Sequence, residues 1–296
     1  KHDAYHNPFS MTARTFVRMS DNDPAVDDCP VSNEIPMLGL GTWENTDPDA
    51  CAESVATALE MGYRHIDTAQ AYGNEADVGD GLAAADVDRE EIFLATKVWI
   101  DNLAADDVIE TTEASLDRLG VDSVDLMYVH WPSRTYDAEE TLGALNELYD
   151  DGKIDRIGVS NFEPDQLQEA IEISDAPIVA NQVECHPFLQ QEELREVCEE
   201  EGVELVAYSP LARGDVLEND TLQEIAADHD ASAAQVSLAW LRQQGITAIP
   251  KASSEPHIRD NWQSLSVTLS DEEIDRIQEL EQTGRRVDPG FGPWNQ

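Results

Sequence analysis

From Pro36 onward the chain repeats one pattern eight times: a short apolar run, then a stretch with helical periodicity. The runs are PMLGLGTW from 36, RHIDTA from 64, IFLATKV from 92, VDLMYVHW from 124, RIGVSN from 156, IVANQVEC from 178, VELVAYSP from 203 and ITAIPKAS from 246. Runs this short and this continuously apolar suit strands buried on both faces, the condition of parallel sheets covered by helices. The stretches between them carry helix start and stop signals. Asp47-Pro48 opens one that Gly62 closes, and DAEETLGALNELYDDG and QQEELREVCEEEG likewise end at glycine. Eight such units in 296 residues predict an α/β fold, a (β/α)8 TIM barrel with its active site at the carboxyl ends of the strands.

The last two runs begin 43 residues apart, against 22 to 32 for the others, so LARGDVLENDTLQEIAADHDASAAQ should add a loop or helix over the barrel mouth. Residues 13–35, rich in Asp, Asn and Pro, read as an N-terminal hairpin capping the other end. Residues 1–10 read as tag- or vector-derived, and 11–296 as a single barrel domain with a C-terminal tail on the substrate side.

Charge bounds the partners. With 18 Lys and Arg against 62 Asp and Glu, the net charge is −44, an acid-coated surface suited to concentrated salt. Nonspecific nucleic-acid binding needs clusters of basic residues, and none is present. The four cysteines show no C-x-x-C spacing and read as isolated thiols of a reducing compartment. No apolar stretch is long enough to cross a membrane, so the expectation is a cytoplasmic protein, as a monomer or small homo-oligomer.

Three runs end in an ionisable residue: Asp67 on the second, Lys97 on the third and His130 on the fourth. A buried carboxylate is costly unless its charge is offset. Adjacent strands lie about 5 Å apart, so Asp67 and Lys97 at equal depth would pair directly. Tyr72, on the loop after the second run, would then reach the Lys97 ammonium. A nearby cation lowers a phenol's pKa from its free value of about 10, which would make Tyr72 an efficient proton donor. His130 would donate a hydrogen bond to the oxygen receiving that proton. Singly, each residue also has a structural reading, as a buried ion pair or a satisfied core histidine. Four converging on one rim favour chemistry, and the chemistry they describe is carbonyl reduction.

These residues, in this order, resemble the aldo-keto reductase family. DTAQAYGNE, TKVW and HWP carry the family's Asp, Tyr, Lys and His, so the resemblance makes Asp67, Tyr72, Lys97 and His130 the catalytic set. The likeness runs from GLGTW at 39–43 to NW at 261–262. It implies further that Ser160, Asn161 and Gln182 bind the nicotinamide carboxamide, and that Tyr208 stacks on the nicotinamide ring. It assigns Ser209, Leu211 and Asp215 to a loop closing over the pyrophosphate. Lys251, Ser253, Ser254 and His257 would take the ribose-phosphate end, Asn261 the adenine, and Gly41, Thr42 and Trp43 would complete the cofactor contacts. A helix cap at Ser160-Asn161 and plain barrel packing for Tyr208 remain alternatives.

The implied activity is NAD(P)H-dependent reduction of aldehydes or ketones to alcohols, reversible, by a strongly acidic, haloarchaeal-like member. No G-x-G-x-x-G fingerprint follows a strand, and the histidines lack metal-ligand spacing, so neither a Rossmann site nor a metal is expected. Where the family usually places an arginine for the 2′-phosphate, this chain has His257. Lys251, Ser253, Ser254 and Arg259 are candidates to compensate, which favours NADPH and leaves NADH possible. Trp43, Trp99, Trp131, Phe291 and Trp294 would wall a pocket for a small aldehyde, ketone or alcohol, with core packing as the alternative for each tryptophan. A regulatory or sensor protein that keeps the cofactor without turnover is the rival reading, and a metal-dependent barrel hydrolase a third.

Overall fold

Alternation of side chains along short strands generates the architecture, which a computed structural model describes for residues 23–295. The readings for residues 1–10, and for 13–22 of the expected cap, lie outside the described residues. Within the described part of the cap the hairpin is short. A hairpin of β1 (Val31–Ser32) and β2 (Ile35–Pro36) turns at Asn33-Glu34. Both turn residues are left-handed, with φ of 46° and 64°, the twist a two-residue hairpin requires. Residues 23–28 run instead beside a late helix, where the Trp262 indole donates to the Pro24 carbonyl at 2.9 Å.

All eight predicted runs form strands: β3 (Leu40–Gly41), β4 (His65–Asp67), β5 (Phe93–Val98), β6 (Leu126–Val129), β7 (Ile157–Ser160), β8 (Ile178–Glu184), β9 (Glu204–Tyr208) and β10 (Thr247–Ala248). They make one parallel sheet in sequence order. Its two edges meet: Gly39 N donates to the Ala248 carbonyl and Ala248 N to that of Met37, both at 2.9 Å, and Gly41 N to that of Pro250 at 3.1 Å. The sheet is thereby closed into the expected barrel.

Helices α1 (Pro48–Met61), α2 (Glu75–Ala84), α3 (Ala105–Leu119), α4 (Ala138–Asp150), α5 (Pro164–Ile173) and α6 (Glu192–Glu201) follow β3 to β8 in turn. The predicted punctuation is present. Asp47 caps α1 by accepting from Ala50 N at 2.9 Å, and Gly62 and Gly202 end α1 and α6 at positive φ. The long segment after β9 forms a loop with 3-10 turns (Ala212–Glu218), then α7 (Asp220–Asp228) and α8 (Ala233–Gln243). Only its loop borders the barrel mouth, whereas Leu222 and Ile225 of α7 are buried on the flank. α9 (Glu255–Gln263) completes the ring, and α10 (Asp271–Gln278) leads into the tail.

Two cores result. Outward side chains of the strands join the helices in a large apolar cluster. Inward ones, among them Phe93, Ala95, Leu126, Tyr128, Ala180, Val206 and Ile249, fill the barrel, plugged from below by Ile35 of the hairpin. Stepping by two from this inner set reaches Lys97, His130, Gln182 and Tyr208 at the mouth, so the strand period delivers polar groups there.

Gly41 marks the tightest point of the seam. A Cβ there would lie 2.7 Å from the Ile249 carbonyl oxygen, which is backbone and cannot rotate away. Gly41→Ala should therefore cost about 2 kcal/mol through strand displacement. A lowered midpoint in denaturant unfolding at constant slope checks this.

Candidate active site

The expected ion pair is present, with a different register. Asp67 lies opposite Ala95 and Lys97 opposite Tyr128, so Lys97 is two residues further along its strand than Asp67's partner. Strand tilt in a closed barrel brings such staggered residues to one height. Lys97 Nζ donates to Asp67 Oδ1 at 2.5 Å and to the Thr68 carbonyl at 2.8 Å, and Gln182 Nε2 donates to Asp67 Oδ2 at 2.7 Å. Both charged side chains are buried. The pair lies beneath the cleft, and of the two only Asp67 borders it.

Tyr72 closes a 3-10 turn (Gln70–Tyr72) after β4, ended by Gly73 at φ 69°. Gln70 pins this turn. Its Oε1 accepts from Trp99 N and Asn102 Nδ2, both at 3.0 Å, and its Nε2 donates to the Thr111 carbonyl at 3.1 Å. The Tyr72 ring centroid is 5.2 Å from Lys97 Nζ and 5.9 Å from the His130 ring, which it meets edge-on.

One expectation is reversed. Removal from water, and secondarily the Asp67 and Tyr208 side chains, hold the Tyr72 phenol well above its ordinary pKa. Burial outweighs the nearby ammonium, which is itself met by Asp67 at contact distance. His130 is shifted well below its ordinary pKa by burial and then by Lys97, so its imidazole is neutral. Its Nδ1 is buried without a hydrogen-bond partner among the described residues.

A cavity of about 700 Å³ opens above these groups. Of the residues singled out in the sequence, it brings together Tyr72, His130, Gly41, Thr42, Trp43, Ser160, Asn161, Gln182, Tyr208, Ser209, Leu211, Lys251, Trp99, Trp131 and Phe291. Asn161, at φ 63°, organises one wall. Its Nδ2 donates to the His130 carbonyl at 3.1 Å, and its Oδ1 accepts from the Tyr208 hydroxyl at 2.8 Å. Ser160 Oγ donates to the Gln182 carbonyl at 2.8 Å.

Other candidates stand outside the cavity lining. Trp294 backs Trp131 at 5.6 Å between centroids. Asp215 turns away and accepts from Arg286 Nε at 2.6 Å. Ser253, Ser254 and His257 are exposed at the start of α9, and Asn261 is buried further along it. The Arg259 guanidinium is engaged by Asp23 and Glu255. Sequence reasoning missed Glu44, Arg213, Val287 and Pro289, which also line the cavity. Arg213 lies 4.8 Å over the Trp43 ring and 3.3 Å from Glu44 Oε1, a link between two loops that no local motif announces. Among the described residues no cluster of His, Cys, Asp and Glu could hold a metal.

A sequence model of the Aldo/keto reductase family matches residues 37–282. The chain belongs to the aldo/keto reductase family. The glyoxal reductase of Bacillus subtilis is 41% identical over 252 residues, 85% of this chain and 91% of its own. The methylglyoxal reductase of Escherichia coli O157:H7 is 39% identical over 263 residues, 88% of this chain and 98% of its own. In structure, the aldo-keto reductase of Bombyx mori in complex with NADP has a TM-score of 0.82 at 33% identity, over 86% of this chain and 92% of that one. The aldose reductase of Schistosoma japonicum has a TM-score of 0.84 at 31% identity, over 88% and 94%. This aldo/keto reductase is thus an oxidoreductase that reduces aldehydes or ketones to alcohols with a nicotinamide cofactor.

Breaking the buried pair from one side leaves the other charge uncompensated. Lys97→Met in this reductase should cost about 3 to 5 kcal/mol of stability. Adding Asp67→Asn to that variant should restore much of the loss, which urea unfolding of the two variants measures.

Proposed function

We propose that Tyr72 is the proton donor of the reduction, that His130 orients the carbonyl, and that Lys97 and Asp67 support the phenol from beneath. The observation that carries this is the facing of Tyr72 and His130 across the cleft floor with Lys97 Nζ 5.2 Å from the tyrosine ring. A proton donor must hold its proton until it is needed, and the raised pKa of Tyr72 does that. As the carbonyl oxygen gains negative charge it becomes far more basic than a phenolate and draws the proton from Tyr72. The Lys97 ammonium then stabilises the phenolate left behind. A neutral imidazole carries one ring proton, and burial of Nδ1 without an acceptor favours its placement on Nε2, free to donate to the same oxygen.

The residues fit a nicotinamide cofactor, which when bound supplies the hydride. Ser160, Asn161 and Gln182 offer hydroxyl and amide groups on one wall, beside the Tyr208 ring. Lys251 at the far end is exposed and makes no ion pair among the described residues, despite the acidity of the chain. Ser253 Oγ is 3.4 Å from its Nζ. Ser254 caps α9 without a side-chain bond, leaving backbone donors of the first turn for an anion. This supports a phosphate at that end and a preference for NADPH, modest because His257 lacks a guanidinium's fork.

For substrate we infer small, reactive dicarbonyl aldehydes. The apolar wall of Trp43, Trp99, Trp131 and Phe291 leaves few polar groups for larger sugars, and two relatives are named for glyoxal and methylglyoxal. The free thiols among the described residues and the acidic surface support a cytoplasmic enzyme of a salt-rich interior.

Tyr72→Phe should lower kcat by about 10³-fold while the cofactor Kd stays within about threefold. Single-turnover kinetics beside cofactor fluorescence titration separate the two; near-normal kcat would remove Tyr72 from the acid role. With methylglyoxal in molar KCl, kcat/KM should favour NADPH over NADH by about threefold to tenfold. Equal or better efficiency with NADH would overturn the assignment of Lys251 and α9 to a phosphate.

A further inference from the structure

Glu184 is the last residue of β8, two residues beyond Gln182 and therefore on the same inward face of the strand. It is a carboxylate at the barrel mouth, fully buried, yet absent from the cavity lining. No Lys or Arg side chain pairs with it among the described residues. Its oxygens instead take backbone donors from the C-terminal tail: Oε1 accepts from Arg286 N at 2.7 Å and Oε2 from Val287 N at 2.9 Å. His186 lies beside it, Nε2 at 3.1 Å from Oε1. Because His186 Nδ1 accepts from Phe188 N at 3.2 Å, the ring proton sits on Nε2 and is donated to Glu184. Three donors thus converge on one buried carboxylate.

The held segment leads straight into the cleft wall. Val287, Pro289 and Phe291 all border the cavity. Phe291 meets Trp131 edge-on at 5.4 Å and Trp99 at 6.2 Å. Within the tail Arg285 lies 3.5 Å over the Trp294 ring and Asp288 accepts from Trp294 Nε1 at 2.8 Å. Gly284 N also donates to the Phe188 carbonyl at 3.4 Å, Arg285 pairs with Glu163 and Arg286 with Asp215. Of these ties, the two amides on Glu184 are the ones held by a fully buried carboxylate.

We propose that Glu184 is a positioning residue for substrate selection: by gripping the Arg286 and Val287 amides it sets where Phe291 stands, and so the size of carbonyl compound the cleft accepts. His186 is its orienter. This rests on the reading of the cleft as the carbonyl site. It concerns Glu184-Cys185-His186-Pro187, a stretch with no part in the proton and hydride chemistry.

The test compares the unmodified protein with Glu184→Gln, which keeps the shape but turns an amide N–H toward one of the two backbone donors. Hydrogen exchange should show the Arg286 and Val287 amides exchanging about tenfold or more faster, with the β5 and β6 amides unchanged. With NADPH, KM for 4-nitrobenzaldehyde should rise about tenfold while kcat changes less than about twofold, and both constants for propanal should stay within about twofold. In a Phe291→Ala background the same substitution should have no further effect on the aromatic aldehyde, because its route through the tail is gone. Unchanged exchange at the two amides, equal loss of kcat on both aldehydes, or full additivity with Phe291→Ala would each overturn the proposal. If the unmodified protein reduces neither of these aldehydes nor methylglyoxal, the carbonyl reading fails, and the exchange measurement still decides whether Glu184 anchors the tail.

Discussion

The contact between Lys97 and Asp67 is the constraint around which the barrel mouth is arranged. An ammonium with no exposed surface survives only if its charge is met, and Asp67 Oδ1 at 2.5 Å with the Thr68 carbonyl at 2.8 Å does that. The second Asp67 oxygen takes the Gln182 amide, so β4, β5 and β8 are joined through one carboxylate. Burial governs the groups above the pair, with Asp67 acting second on Tyr72 and Lys97 second on His130. Tyr72 keeps its proton and His130 stays neutral. On the proposed reading, Tyr72 holds its proton until charge develops on a reacting oxygen, and Lys97 favours the phenolate that then forms.

Much of this was legible in the sequence, because a strand's period of two converts a list of residues into a face. Once the eight apolar runs are strands, Asp67, Lys97 and His130 at their ends can only converge on one rim, and glycine and Asp-Pro signals fix the helices between. Register was not legible, since the stagger of Lys97 relative to Asp67 depends on barrel tilt, a property of the closed sheet. The direction of the Tyr72 shift was missed for a related reason: sequence proximity identifies a cation but not how deeply the phenol beside it is buried. The residues that pair in the hairpin were not legible, because turn-rich composition marks loops without saying which residues pair. Glu184 lay hidden because its partners are backbone amides about a hundred residues away, which have no residue type to read.

Charge is sorted with the same logic. Of 62 acidic residues in the chain, those buried among the described residues are Asp67, Glu75, Glu184 and Glu204, and each has specific partners. Glu75 accepts from Arg118 and Thr96 inside the α2 to α3 contact, and Glu204 from Ser32 and Thr247 at the barrel floor. Two of the four tie helices or the hairpin to the barrel, and two stand at the mouth. Among the other described acids, Asp125 and Asp260 also take internal donors, while exposed ones such as Glu34 and Glu224 set solubility.

The cleft is closed by parts of unequal character. Its floor is built from strand ends held by buried contacts, whereas its upper edges come from the loop after β9 and the C-terminal tail. Those edges are joined by charged links at the surface: Arg213 to Glu44, and Arg286 to Asp215, with each acid more than half exposed at 60% and 54%. Exposed pairs are screened by salt over a few ångströms, while the buried pair of Asp67 and Lys97 is scarcely touched. An acidic reductase bathed in concentrated salt would therefore keep its reacting groups fixed while the electrostatic part of its rim contacts weakens. Apolar contacts such as Phe291 on Trp131, and the shielded grip of Glu184 on the tail, are then what hold the rim in place. In strong salt the buried ion pair keeps its strength, and the exposed edge relies on packing and buried hydrogen bonds more than on its surface ion pairs.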